Sequence, residues 1–403
     1  MGMPDRRLPV HPSLAHLQRE ASALVADGRA ANVGDARRQL AQEYGAADWT
    51  RIEQACGLID AIWADDIDSV RDLLVAHPAL LHEDALVRRS NWGRPMSYAA
   101  NLGRDRIITM LHEMGATDHA FALDRAVLQG QVGTARMLHE FAGRPALQVD
   151  VLGGAAYTLN VPGTAFALDL GAPVVDAEGR GIAPVHVVLE SDSRNPAAKH
   201  AILEMYAERG YPFPDTPLMA FHRGRLDLLE EHLRRDPRLL TRTFAFSEIF
   251  PPGLGCGEES FPRTPLDGST LLHLCVEFDE MEIARWLLER GMQVDTKAAV
   301  DADGFGGHTA LFNAVVCYAN FWGNYRGDAV DSPFARLLLD RGADPDARAS
   351  LRASYRINFR VDDVPGSIEA RNATPIEWGK AFGYKLVVSD PAMALIAARQ
   401  AAR

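Results

Sequence analysis

The sequence predicts an all-α protein: a solenoid of about nine degenerate helix pairs behind an N-terminal helical cap. Inserted loops or a short β-hairpin are expected in its C-terminal half. Three observations carry this expectation. A small or compact apolar residue recurs as an anchor at Ala61, Ala99, Ala126, Ala155, Val188, Ala220, Cys275, Ala314 and Gly379. Four positions after each anchor stands a turn partner: Asp65, Gly103, Gly130, Leu159, Asp192, Gly224, Asp279, Tyr318 and Gly383. A second apolar stripe at i, i+3, i+4 spacing then follows, as in Val70, Leu73 and Leu74 or in Ile283, Trp286 and Leu287.

Each element follows from local chemistry. Several second helices are expected to stop at Gly115, Gly171, Gly210, Gly291 and Gly342, because glycine enters the left-handed conformation without steric cost. One helix pair cannot bury its apolar stripe alone, so neighbours must stack. The first 55 residues form the cap. Ser13 is placed to cap a helix bearing Leu14, Leu17, Ala21 and Leu24 on one face, and further helices start near Asp35 and after Asp48. Degenerate repeats are expected over 56–240, an inserted aromatic loop over 241–266, and repeats again over 267–403 with insertions at 318–331 and 351–371.

The segment from Asp267 through Leu271, Leu272 and His273 to Cys275, followed by Ala284 through Leu287 and Leu288 to Gly291, resembles the D-G-x-T-P-L-H-x-A…LL-x-x-G pattern of the ankyrin repeat family. Thr309 to Ala314 with Leu337 to Ala347 is similar to the same pattern, as is Thr374-Pro375-Ile376-Glu377-Trp378. The segment from Ala36 to Gly45, ending at Asp48-Trp49, resembles a leader found ahead of bacterial ankyrin arrays, and the Ala- and Arg-rich usage points the same way. The resemblance implies β-turn fingers between repeats and a binding role for the concave inner helices. It names no partner, since one fold hosts many functions.

Composition narrows the function. Among 403 residues, 47% are hydrophobic and 24% charged, the balance of a folded soluble chain. The net charge of −12 repels phosphate backbones and anionic lipid, so neither nucleic acid nor membrane is expected as a partner. No apolar stretch approaches the roughly 18 residues of a membrane span. Four cysteines without a CxxC pair imply a reducing compartment, and the cytoplasm is the expected location.

The insertions interrupt the pattern. Phe244, Phe246, Ile249, Phe250 and Phe261 are too apolar for a solvated linker, so the first insertion should pack on the repeats. Tyr318, Phe321, Trp322 and Tyr325 mark the second. In the third, Tyr355, Ile357, Phe359 and Val361 alternate with polar residues, the period of a half-buried strand and half of a hairpin. The first and third insertions are expected to form a lip over the concave surface.

No motif demands chemistry. Gly253-Leu254-Gly255-Cys256-Gly257 follows two prolines and precedes two glutamates, so it does not read as a phosphate loop. Asp301-Ala302-Asp303-Gly304 lacks the glutamate that closes a calcium loop. His186 and His273 occupy the repeat's own histidine place and read as structural. No metal, cofactor or catalytic set is predicted. The expected function is a protein-interaction scaffold binding a protein or peptide, with basic character favoured, on its concave face and finger loops. Its binding residues are Trp92, Tyr98, Tyr157, Glu190, His222, Glu277, Phe278, Trp322, Tyr325 and Phe382, where carboxylates and aromatic rings would meet a cation. On this reading Glu277→Lys weakens binding and spares the fold. The alternative is a cofactor-independent enzyme or small-molecule binder, its pocket closed by the loops at 240–266 and 351–371. Glu190, Asp192, His222, Glu277 and Asp279 would then supply acid–base groups.

Overall fold

A computed structural model describes residues 6–257, 261–357 and 364–403. The described residues are mostly helical, with 22 α-helices and one two-stranded sheet. They fall into two compact units, Met1–Pro173 and Val174–Arg403. The division lies inside the segment 56–240 that the sequence reads as one block.

In the first unit, three helices span Leu14–Ala26, Val33–Tyr44 and Trp49–Trp63. Their starts are fixed by side-chain caps. Ser13, Asn32 and Asp48 accept from the backbone N–H groups of His16, Asp35 and Arg51. The third helix runs through residue 55, so cap and first pair share one element. It packs against Ile67–Ala76, and helix pairs follow at Pro95–Asn101 with Asp105–Glu113, His119–Gln129 with Val132–Phe141, and Val151–Tyr157 with Val161–Asp169. Successive first helices pack on one another. A second helix also comes close to the preceding pair: a Cβ on Gly163 would lie 2.1 Å from the Val127 carbonyl oxygen.

The second unit repeats the scheme at Val185–Leu189 with Pro196–Glu208, Pro217–His222 with Leu226–Arg235, and Leu271–Glu277 with Met281–Glu289. Ala310–Val315 with Pro333–Asp340 and Pro375–Ala381 with Asp390–Ala401 complete it. The segments between pairs are tied edge to edge. The Phe244 N–H donates to the Ser269 carbonyl, the Ala299 N–H to that of Gly268, and the Gly306 N–H to that of Ser350. The hairpin stands at the end of this series. Strand Ala349–Ile357 pairs antiparallel with Val364–Ala373, opposing Tyr355 to Gly366. Of the alternating set, Tyr355 is buried, and Leu351 and Ala353 before it are buried too; the side chain of Ile357, with Phe359 and Val361, lies outside what is described.

The anchors sit in helix contacts. Ala99, Ala126, Ala155 and Cys275 are fully buried, and Ala220 and Ala314 nearly so. The turn partners Asp65, Leu159 and Asp279, together with Gly103, Gly130 and Gly224, all adopt left-handed backbone. Three non-glycine residues in that conformation show that turn geometry dominates local preference. Tyr318 departs from the scheme: it is fully buried and opens the insertion as a 3₁₀ turn, Tyr318–Asn320, ahead of the helix Phe321–Arg326.

The insertion 241–266 packs inward, with Phe244, Ile249, Phe250 and Leu266 all buried. Thr264 joins it to the last pair, accepting from the Trp378 indole N–H at 2.9 Å and donating to the Val316 carbonyl at 2.8 Å.

Candidate functional site

In the second unit, the C-terminal end of helix Leu271–Glu277 gathers charge in an apolar setting. Glu277 is fully buried. Its carboxylate accepts from Arg194 at 2.7 Å, from Arg263 at 3.3 Å and from the Tyr318 backbone N–H at 3.1 Å. Both guanidinium groups are themselves almost fully covered. The Arg194 guanidinium lies 5.2 Å from the Phe278 ring and 5.3 Å from the Tyr318 ring.

A second buried pair lies beside the first. Lys199 and Glu280 approach to 2.7 Å, His200 Nε2 lies 2.9 Å from the same carboxylate oxygen, and the lysine sits 4.8 Å from the Phe278 ring. Burial works against the charge of Glu280, but Lys199 and His200 outweigh it and hold the carboxyl below its usual range. Ion pairs this deep lose hydration, and complete pairing is what makes them tolerable.

The histidines here are structural. His222 is buried, donates through Nε2 to the Ile249 carbonyl at 3.0 Å, and is pushed down to about 3 by burial and the Lys199 charge. His273 donates through Nε2 to the His308 carbonyl at 3.0 Å, and its Nδ1 faces the Thr270 hydroxyl at 2.8 Å. Burial lowers it to about 4. Both are neutral near pH 7; both ring nitrogens of His273 are engaged, whereas the buried Nδ1 of His222 has no hydrogen-bond partner among the described residues. The Cys256 thiol is lifted to about 12 by burial and the nearby Glu190, so it is not an activated nucleophile.

The open chemistry is one turn further on. Asp279, left-handed at φ 60°, reaches solvent at the edge of a recess of about 340 Å³. Val276, Ala314 and Asn320 line it, together with Asp328, Asp331 and Phe334. The recess walls strip water from Asp279, and with the neighbouring Glu280 they raise its carboxyl to about 6 against the pull of Arg194. Next to the recess, helix Phe321–Arg326 carries exposed Tyr325, 65% accessible, and the following segment carries Val330, 88% accessible. The Trp322 indole N–H donates to the Asp192 carbonyl at 3.3 Å.

The expected binding face is thus redistributed. His222, Glu277, Phe278 and Phe382 are buried in the second unit, and Tyr98 is buried in the first, its hydroxyl donating to the Val10 carbonyl. Phe382 instead packs under the hairpin, its ring centroid 5.3 Å from that of Tyr355. Glu190 holds the insertion, accepting from the Gly257 N–H at 2.7 Å. The Asp192 carboxyl is raised by burial, with Arg194 opposing. Trp92 packs 4.7 Å from Tyr98 in the first unit, and Tyr157 is exposed there. The sequence reading missed Arg194, Lys199 and Arg263, and the aspartates Asp328 and Asp331. No spacing signal marks Arg194, Lys199 and Arg263, because their carboxylate partners lie on another segment, and the recess that Asp328 and Asp331 share with Asp279 is likewise assembled from separate segments.

A second recess, of about 590 Å³, lies in the first unit among Glu83, Asp84, Arg89, Arg94, Asp118 and Phe121. Neither recess is lined by residues of 241–266 or 351–371. Among the described residues, no group of three or more His, Cys, Asp or Glu is placed to hold a metal, and no helix is long and apolar enough to cross a membrane.

Compared with known families, the ankyrin repeat matches residues 267–300, the stretch that runs from the Asp267 turn through helices Leu271–Glu277 and Met281–Glu289 to the Val300 bridge. No curated protein matches the chain.

Proposed function

We propose that the chain is a protein-interaction module built of about nine degenerate ankyrin-type repeats. Its principal docking surface is the recess at Asp279 with the adjoining helix Phe321–Arg326. The ankyrin match at 267–300 suggests protein binding, and the recess opens at the end of that repeat's first helix. One observation carries the reading. Around Asp279, three carboxylates border an open recess while Tyr325 and Val330 stand exposed beside it. A carboxylate-lined hollow flanked by an aromatic and an aliphatic group suits a protein segment that offers a lysine or arginine beside an apolar residue. Asp331 is shared with Arg336 at 2.7 Å, and Asp328 with Arg326 at 2.9 Å, so Asp279 is the carboxylate on which an incoming cation would act most strongly.

The partner is therefore a basic protein or peptide. Affinity capture with the wild-type chain should retain a partner that Asp279→Lys and Tyr325→Ala each lose, while circular dichroism of both variants stays unchanged. Equal capture by all three chains rejects this surface.

A further inference from the structure

A second surface, in the unit Met1–Pro173, is independent of the recess. We propose that Trp63, Trp92 and Tyr98 form a docking cleft for an extended peptide bearing a basic residue and, five positions later, a ring residue. Residues Arg6–Pro12 occupy this cleft in cis as a displaceable strap.

The strap has no regular secondary structure and is held largely through its backbone. The Arg6 N–H donates to the Glu43 carbonyl at 3.2 Å, and Arg88 donates to the Arg6 carbonyl at 3.1 Å. The Tyr98 hydroxyl donates to the Val10 carbonyl while accepting from the Trp63 indole N–H at 3.1 Å. Main-chain contacts of this kind accept many extended sequences, so side chains at the two ends must set preference.

Those ends are chemically distinct. Arg6 pairs with Glu20 and Glu43, and its guanidinium lies 4.6 Å from the Tyr44 ring centroid. Five residues on, the His11 ring lies parallel to Trp63 with centroids 4.7 Å apart, and its Nε2 stands 2.7 Å from Asp60. Trp92 extends the aromatic row, 6.4 Å from Trp63 and 4.7 Å from Tyr98. The cleft therefore presents three carboxylates and a line of rings, and its present occupant brings a guanidinium and an imidazole.

The strap is also weakly buried. Only Leu8 and Pro12 are covered, while Arg7, Pro9, Val10 and His11 are exposed. Two covered side chains stand against the ordering entropy of seven residues, so the strap belongs among the segments that open most readily. A peptide of the same chemistry supplied in trans would compete for the site.

The test uses a fluorescein-labelled peptide with the sequence of residues 6–13 and the full chain, read by fluorescence anisotropy. His11→Ala and Arg6→Ala each loosen the strap by removing a side chain that contacts the cleft, the one against Trp63 and Asp60, the other against Glu20, Glu43 and Tyr44. Both variants should bind the peptide at least about tenfold more tightly than the wild-type chain, because an intramolecular competitor has been weakened. Adding Trp63→Ala to His11→Ala should remove that gain. A control peptide with glycine in place of its histidine should bind at least about tenfold more weakly, a readout that holds even if Trp63→Ala fails to fold. Peptide affinity equal to wild type in both variants, or no loss with the glycine peptide, overturns the proposal.

Discussion

Glu277 neutralises two buried arginines, and its removal should be among the costliest single changes in the second unit. Glu277→Ala leaves Arg194 and Arg263 in an apolar pocket without their shared carboxylate. Breaking a buried pair in this way costs about 3–5 kcal/mol, a loss that urea denaturation would report as a lower midpoint. Glu277→Lys is worse, since it sets a third cation among the two, so the expectation that it spares the fold is corrected here. The sequence places Glu277 correctly two residues after the anchor Cys275. Its burial is not legible there, because the covering groups come from Arg194, 83 residues away, and Tyr318, 41 residues away. Phe278, His222 and Phe382 were misjudged as exposed for the same reason: helical spacing reports direction from an axis, and distant segments decide what lies there.

Elements were more legible, since caps, turns and strand alternation are local. The last pair begins with a reciprocal cap. The Thr374 hydroxyl accepts from the Glu377 N–H at 3.3 Å, and the Glu377 carboxylate accepts from the Thr374 N–H at 2.8 Å. Thr374→Ala should cost about 0.5–2 kcal/mol, visible as a lower thermal midpoint. The hairpin carries a close contact that no pattern announces: the Tyr355 ring covers Gly366, where a Cβ would lie 2.3 Å from the ring. Gly366→Ala must displace that ring from its contact with Phe382, and the overpacking should cost about 1–3 kcal/mol. The same denaturation measurement checks it, with Ser367→Ala as a neighbouring control. The insertion after Ala314 could be read as aromatic. Its short helix and the recess beside it could not, because the recess needs Asp279 and Asp331 brought together from separate helix pairs.

For the chain as a whole, acid should destabilise before ordinary carboxylates titrate. His222, His273 and His308 are all held neutral by burial, at about 3, about 4 and well below 6.5 respectively. On unfolding each regains an ordinary value near 6.5 and takes up a proton, so stability falls as pH drops through that value. Asp124 and Asp279, raised to about 6, act in the opposite sense below that pH by releasing protons on unfolding. His119 and His232, also lowered by burial, add to the three, and Asp192 and Asp295, also raised by burial, add to the two, so among the described residues five histidines stand against four carboxyls. Calorimetry between pH 7.5 and 5 should therefore show a falling midpoint with net proton uptake, and a flat midpoint would contradict these assignments. The acidic balance of the chain, −12, likewise implies that association with a basic partner weakens as salt is raised. The most direct measurement is photo-cross-linking in native extract with benzoylphenylalanine in place of Tyr325. The account predicts one discrete protein adduct that disappears when Asp279→Lys is added to the same chain. No discrete adduct, or an adduct that survives Asp279→Lys unchanged, would contradict it.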